Sequence, residues 1–274
     1  MCCDDQLNPQ PEADAHGSFK VEELPILIRL VIGVAALTLM ASCTSTRNYA
    51  GSKRPFNVYV ADAEIVYEGA IAREGYEHLI DLLQDLKSTP DRLTITSGGG
   101  DADVGIDLGL LVHRLDLEVY VPAYCASSCA NYVFTAGRKK VLAQDAFLMW
   151  HGGATQPGIG DPPTCVEGEW YDTYFDCDAD RFSKKFEPII KDWLEKESQF
   201  FAMIGVDQRI TVLGQDPEFR CGNENQGGWY YSLTDLEWLG VQNIEVLGES
   251  WNPDPPADRF EYCRVDLSML SNRR

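Results

Sequence analysis

Residues 93–153 read LTITSGGGDADVGIDLGLLVHRLDLEVYVPAYCASSCANYVFTAGRKKVLAQDAFLMWHGG. Strand and helix patterns alternate along this stretch. Arg92-Leu93-Thr94-Ile95-Thr96 has the two-residue period of a half-buried strand, and Ser97-Gly98-Gly99-Gly100 breaks it. Val104, Leu108, Leu111 and Leu115 then mark a helix that opens beside Asp101 and Asp103, where the helix dipole favours negative charge. Leu117 to Val121 is a strand, residues 128–136 a short helix, and Lys140–Leu142 and Ala146–Trp150 two further strands. Arg138-Lys139-Lys140, the densest basic run, is expected at a solvated hairpin tip.

The same alternation extends in both directions. Upstream, Phe56–Val60 and Glu64–Ala70 read as strands, and Leu79, Leu82, Leu83 and Leu86 form the stripe of an amphipathic helix. Downstream, residues 152–178 are rich in Gly, Pro, Asp and Thr and read as a long loop. Phe182, Phe186, Ile189 and Trp193 lie on one face of a helix of about 25 residues, and a turn at Gly205 leads to a shorter helix. Trp229–Tyr231 and Ile244–Leu247 are strands around a helix at Leu233–Leu239, and the Pro-rich tail after Trp251 is expected on the surface. Strands separated by helices predict an α/β fold with a mostly parallel sheet and right-handed crossovers.

The 274 residues suit one sizeable domain with terminal extensions, and 45% apolar residues suffice for a core. A net charge of −20 argues against a nucleic-acid partner. Residues 30–42, LVIGVAALTLMAS, are uncharged, too short for a comfortable bilayer span, and the right length for the apolar region of a signal peptide. Met40-Ala41-Ser42-Cys43 resembles a bacterial lipobox, with Met40 where Leu is usual. That resemblance implies lipidation at Cys43, a periplasmic location and attachment to the membrane; an uncleaved short anchor is the alternative. The expected organisation is a leader over 1–43, a tether over 44–55, a domain over 56–250 and a tail over 251–274. The leader holds only six of the 43 acidic residues, so the acidic character belongs to the domain. Beyond it stand Cys125, Cys129, Cys165, Cys177, Cys221 and Cys263, an even number that in an exported chain points to disulfides. Pairing of Cys165 with Cys177 and of Cys221 with Cys263 is one of 15 connectivities. No CxxC pair or Gly-Lys-Ser/Thr loop occurs, so neither a metal nor another cofactor is implied.

Three features carry chemistry. His151 ends the hydrophobic strand Phe147–Trp150, where α/β active sites form; a structural imidazole is the alternative. Ser127 and Ser128 precede a helix whose first N–H groups could stabilise an oxyanion; a plain N-cap is the alternative. Gly98-Gly99-Gly100 lets the backbone approach a substrate closely, or simply turns.

In order and spacing these features resemble the ClpP peptidases of the ClpP/crotonase superfamily. Ser97-Gly98-Gly99-Gly100 is similar to that family's Ser-Pro-Gly-Gly turn, and Ala126-Ser127-Ser128-Cys129-Ala130 to its Ala-Ala-Ser-Met-Gly segment. Ala136-Gly137 matches an Ala-Gly pair at the same offset, and Met149-Trp150-His151 is similar to Met-Ile-His. Tyr231–Val241 resembles a segment near the end of the fold. The resemblance spans 56–247 and is sharpest over 93–153. It implies a superhelix of repeated strand–helix units with mostly parallel sheet, Ser128 as nucleophile and His151 as general base. The oxyanion donors would come from Gly99, its neighbour Gly100, and Cys129. A peptide or unfolded-protein substrate and a homo-oligomer are also implied. The family's catalytic Asp would fall where this chain has Gly227 and Gly228, leaving Asp216 and Glu224 as candidate acids. Cys125 and Cys129 could bridge across the site. Signal peptide peptidase A shares the fold with a Ser–Lys pair, and Lys184, Lys185 and Lys191 could supply that lysine. A crotonase-type thioester enzyme would use the same oxyanion donors, but export separates it from coenzyme A. Without the acid, a catalytically inactive binding or scaffold protein is the alternative.

Overall fold

The computed structural model describes residues 56–161, 179–219, 221, 226–255 and 260–271. The chain divides into two units, Met1–Ser52 and Lys53–Arg274, and every described residue lies in the second. The leader, Cys43, the Cys165–Cys177 pair and Glu224 lie outside the described residues.

Strands β1 (Phe56–Ala61), β2 (Glu64–Gly69), β3 (Arg92–Thr96), β4 (Glu118–Val121), β6 (Lys139–Ala143) and β9 (Ile244–Leu247) form one sheet in the order β1-β2-β3-β4-β6-β9. Only the β1–β2 pair is antiparallel. The connections carry helices α1 (Arg73–Gln84) and α2 (Ala102–Arg114). Helix α2 starts where Asp101 accepts the Val104 N–H at 3.0 Å, satisfying a donor the helix cannot. Alternation sends Leu93 and Ile95 into the core, with Ile65 and Tyr67 beside them on β2.

Three strands of this sheet stop and resume in a second row. β4 continues into β5 (Tyr124–Ala126), β6 into β7 (Phe147–Met149), and β3 runs through Ser97, which pairs with Cys125. β5 pairs parallel with β7; Trp150 bridges to Trp229 on β8 (Gln226–Tyr231); and β8 pairs parallel with β10 (Glu261–Val265). The tail expected on the surface therefore supplies a strand, with Val265 and Leu267 buried, and Cys263 is bonded to Cys221 as one of the two suggested pairings has it. Helix α3 (Ala179–Ile204) has the expected length, but only its second half enters the core, through Phe200 and Phe201, while Ile189 is 58% exposed. The shorter helix after Gly205 is two 3-10 turns, Gln208–Thr211 and Leu213–Gln215. Helices α4 (Leu233–Trp238), opened by a Ser232–Asp235 capping box, and α5 (Ser268–Ser271) complete the chain.

The basic run does not sit at a solvated tip. Lys139 opens β6 opposite Glu118, which is opposite Arg92. Register thus aligns Arg92–Glu118 at 2.6 Å and Glu118–Lys139 at 3.5 Å across the strands, and Lys139 reaches diagonally to Glu245 on β9 at 2.5 Å. Lys140 faces the other way, is buried, and donates to the Gln242 carbonyl at 3.1 Å. Burial lowers its ammonium from 10.5 to about 8. The unfolded chain then binds the extra proton between pH 10.5 and about 8, so the Lys140 contribution to stability falls as pH drops through that window. Lys140→Met is expected to be more stable than wild type by about 3 kcal/mol at pH 7, with the gap closing by about pH 11. Paired urea titrations check this; a gap that does not change with pH would refute it.

Candidate active site

Segments that follow β3, β5 and β7 are hydrogen-bonded neighbours. The Ala126 N–H donates to the Ser97 carbonyl at 2.9 Å, and the Ser127 N–H to the Met149 carbonyl at 2.8 Å. This pairing brings the Gly-rich turn beside the serine turn, and the serine turn beside the end of β7, two residues before His151. The resemblance-derived residues of the turns thus come from three successive strand ends.

Gly99 and Gly100 have φ of +91° and +153°, which a side chain rarely adopts. A Cβ on Gly99 would fall 2.6 Å from Ser127 Cβ and 2.9 Å from the Ser128 nitrogen, and one on Gly100 would fall 2.1 Å from the Ile71 carbonyl oxygen. Both glycines are therefore required by close backbone approach. The Gly99 N–H, expected as an oxyanion donor, donates to Ser97 Oγ at 3.1 Å. The N–H groups of Gly100 and Ser128 have no protein acceptor among the described residues.

Ser128 is 4% exposed, and its hydroxyl donates to the Gly100 carbonyl at 2.9 Å. Ser127 is half-buried, has φ +56°, and its hydroxyl bonds no described residue. Cys125 and Cys129, both fully buried, are joined, so a disulfide spans the two serines. After it the chain forms a π-helix, Cys129–Phe134, a wide helical turn found often at functional sites.

His151 is exposed, and no described residue bonds its imidazole. The segment after it is held firmly. Asn131 Nδ2 donates to the Gly152 carbonyl at 2.9 Å, and Gln215 Nε2 to the His151 carbonyl at 3.3 Å. Of the candidate acids, Asp216 is exposed and accepts the Glu218 N–H at 3.0 Å. Gly228, one of the two glycines where the resemblance would put an Asp, lies where β8 packs hard against β7. Its φ is +150°, and a Cβ there would meet Met149 Sδ and the Trp150 carbonyl oxygen, each at 2.4 Å. No side chain, acidic or otherwise, fits at Gly228 in this arrangement.

Glu197 of α3 belongs to none of the motifs in the sequence. It is fully buried, and its carboxylate accepts the Tyr132 hydroxyl at 2.7 Å, Gln208 Nε2 at 2.7 Å, and the Ala154 N–H at 3.1 Å to each oxygen. Burial, aided by this neighbouring carboxylate, raises the Tyr132 hydroxyl, so it stays a donor at all ordinary pH. Glu197 thereby ties the π-helix to the segment three residues beyond His151. A signal was present: Trp193, Glu197, Phe200 and Ile204 follow one helical stripe, and a lone carboxylate on it calls for buried donors.

The α/β architecture is mostly parallel in its sheet, and solved structures resemble part of it. Methylmalonyl-CoA decarboxylase, complexed with 2S-carboxypropyl-CoA, is similar with a TM-score of 0.29 and 11% identity over 42% of this chain and 54% of that one. A protein of Streptomyces coelicolor A3(2) assigned as an enoyl-CoA hydratase gives 0.26 and 18% over 40% and 53%. The chain thus spans about half the length of these structures. No protein-family model and no curated protein matches the sequence. Among the described residues no cluster of metal-ligating side chains occurs, and no helix is long and apolar enough to cross a membrane.

Proposed function

We propose that this chain is a serine hydrolase that cleaves peptide bonds in small or unfolded chains, with the hydroxyl at the Ser127–Ser128 turn as nucleophile and His151 as general base. The observation that carries the reading is the meeting of the three strand ends: Ser97–Gly100, Ser127–Ser128 and Met149–His151 are neighbours through the Ala126–Ser97 and Ser127–Met149 backbone bonds. An acyl carbon above the Gly-rich turn would find a hydroxyl, a base and backbone donors on one side. The base takes the hydroxyl proton as the oxygen–carbon bond forms. It returns that proton to the departing amine, and water then releases the acyl group. Catalytic hydrogen bonds often close only around substrate, which accommodates an unbonded imidazole. Lipid attachment at Cys43, a periplasmic location and a homo-oligomeric assembly belong to this proposal and rest on the sequence resemblances alone.

A fluorophosphonate probe tests the chemistry. Wild type is expected to be labelled, and His151→Ala to be labelled about 100-fold more slowly. Equal rates in the two proteins would remove His151 from the mechanism. A second reading, a non-catalytic binding or scaffold protein, is favoured by one observation: among the described residues no carboxylate orients His151. It predicts no labelling of either protein.

A further inference from the structure

We infer that Ser127, and not its neighbour Ser128, is the nucleophile, an assignment that rests on the serine-hydrolase reading above. Spacing to Ala136-Gly137 selects Ser128, but the two residues occupy opposite environments. Ser128 points inward. Its hydroxyl hydrogen is committed to the Gly100 carbonyl, and a Cβ added to Gly105 of α2 would fall 2.9 Å from Ser128 Cβ. On that side Ser128 is covered by α2, which packs against the π-helix with Gly109 at the Tyr132 carbonyl.

Ser127 has the properties Ser128 lacks. It is half-buried, and its hydroxyl bonds no described residue, so both its proton and its lone pairs remain available. Its φ of +56° places a non-glycine residue in the left-handed region, at the tight turn between a strand and a helix. That conformation is held from both sides: the Ser127 N–H donates to Met149, and its carbonyl accepts the Asn131 N–H, each at 2.8 Å. The disulfide between Cys125 and Cys129 closes the turn around it. Strained backbone so over-determined is characteristic of functional sites. Ser127 Cβ lies beside Gly99, and Gly98 next to it faces open space, with nothing within 4 Å of the position a Cβ would take. The side chain therefore sits at the open rim of the Gly-rich turn. The residue after the nucleophile is then Ser128, whose N–H has no protein acceptor and is available to an oxyanion together with that of Gly100.

With a fluorophosphonate, Ser127 Oγ attacks phosphorus, the phosphorus–fluorine bond breaks, fluoride departs and His151 takes the hydroxyl proton. The full chain is labelled under oxidising conditions, then reduced, alkylated and digested with trypsin. One peptide, Leu115 to Arg138, carries both serines, and its fragment ions separate them. The adduct is expected on Ser127. Ser127→Ala should lower labelling at least 100-fold, and Ser127→Gly should do the same although glycine fits the backbone without strain, which separates loss of the hydroxyl from misfolding. An adduct on Ser128, or labelling that survives in both Ser127 variants, overturns the assignment and leaves the hydrolase reading standing. An unlabelled wild type overturns the hydrolase reading itself.

Discussion

Glu197→Ala is expected to lower the free energy of unfolding by about 4 kcal/mol. The substitution strips the acceptor from the buried Tyr132 hydroxyl and from the Ala154 N–H at once. Each such donor left without a partner costs about 1–3 kcal/mol. The vacated carboxylate volume adds a cavity beside Phe200 and Phe201, which a helix so placed closes only in part. Gln208 Nε2, on a less buried residue, can turn to water and contributes less. Below the melting temperature the variant should also label with fluorophosphonate more slowly than wild type, because the segment after His151 loses its tie to the π-helix. Urea denaturation with paired labelling measures both. A loss under about 1 kcal/mol would mean that water replaces the carboxylate and that the network is not as closed as its burial implies.

Removal of the Cys221–Cys263 bond by paired alanine substitution should also lower stability by about 4 kcal/mol. The bond closes a loop with a sequence separation of 42, and its removal restores that loop's freedom to the unfolded chain. The Cys125–Cys129 bond spans only four residues, so the same reasoning gives about 2 kcal/mol. The two bonds thus differ in kind. The long one fastens β10 and the tail to the body; the short one governs the shape of the serine turn. Denaturant midpoints of the two double variants, each under oxidising conditions, are the measurement. If the long-loop variant unfolds at the wild-type midpoint, β10 is not anchored by this bond.

Much of the architecture was readable because its signals are local. The two-residue period of Arg92–Thr96, the leucine stripe of α1 and the acidic start of α2 each reflect the residue's own secondary structure. The failures share a cause: they depend on partners distant in sequence. Tyr124–Ala126 is three residues long and becomes a strand only because Phe147–Met149 lies beside it. Glu261–Val265 reads as an exposed tail until β8 pairs with it. Lys140 sits in a run of three basic residues, and nothing in that run distinguishes the buried ammonium from the ion-paired one on Lys139. That Ser127 and Ser128 stand before a helix is legible in the sequence, yet which hydroxyl faces outward depends on the φ of Ser127 and the proximity of Gly99, which no spacing rule contains.

The second row of strands has a consequence for how such a chain can change. Every reacting group proposed here projects from a strand tip, and the tips are aligned by amide-to-carbonyl bonds that no side chain takes part in. Replacing what stands at residues 127 or 151 leaves that alignment intact, so the reaction can be altered or abolished while the scaffold persists. The proposed catalysis and the folding are in this sense separable, and loss of the first would leave no trace in the architecture.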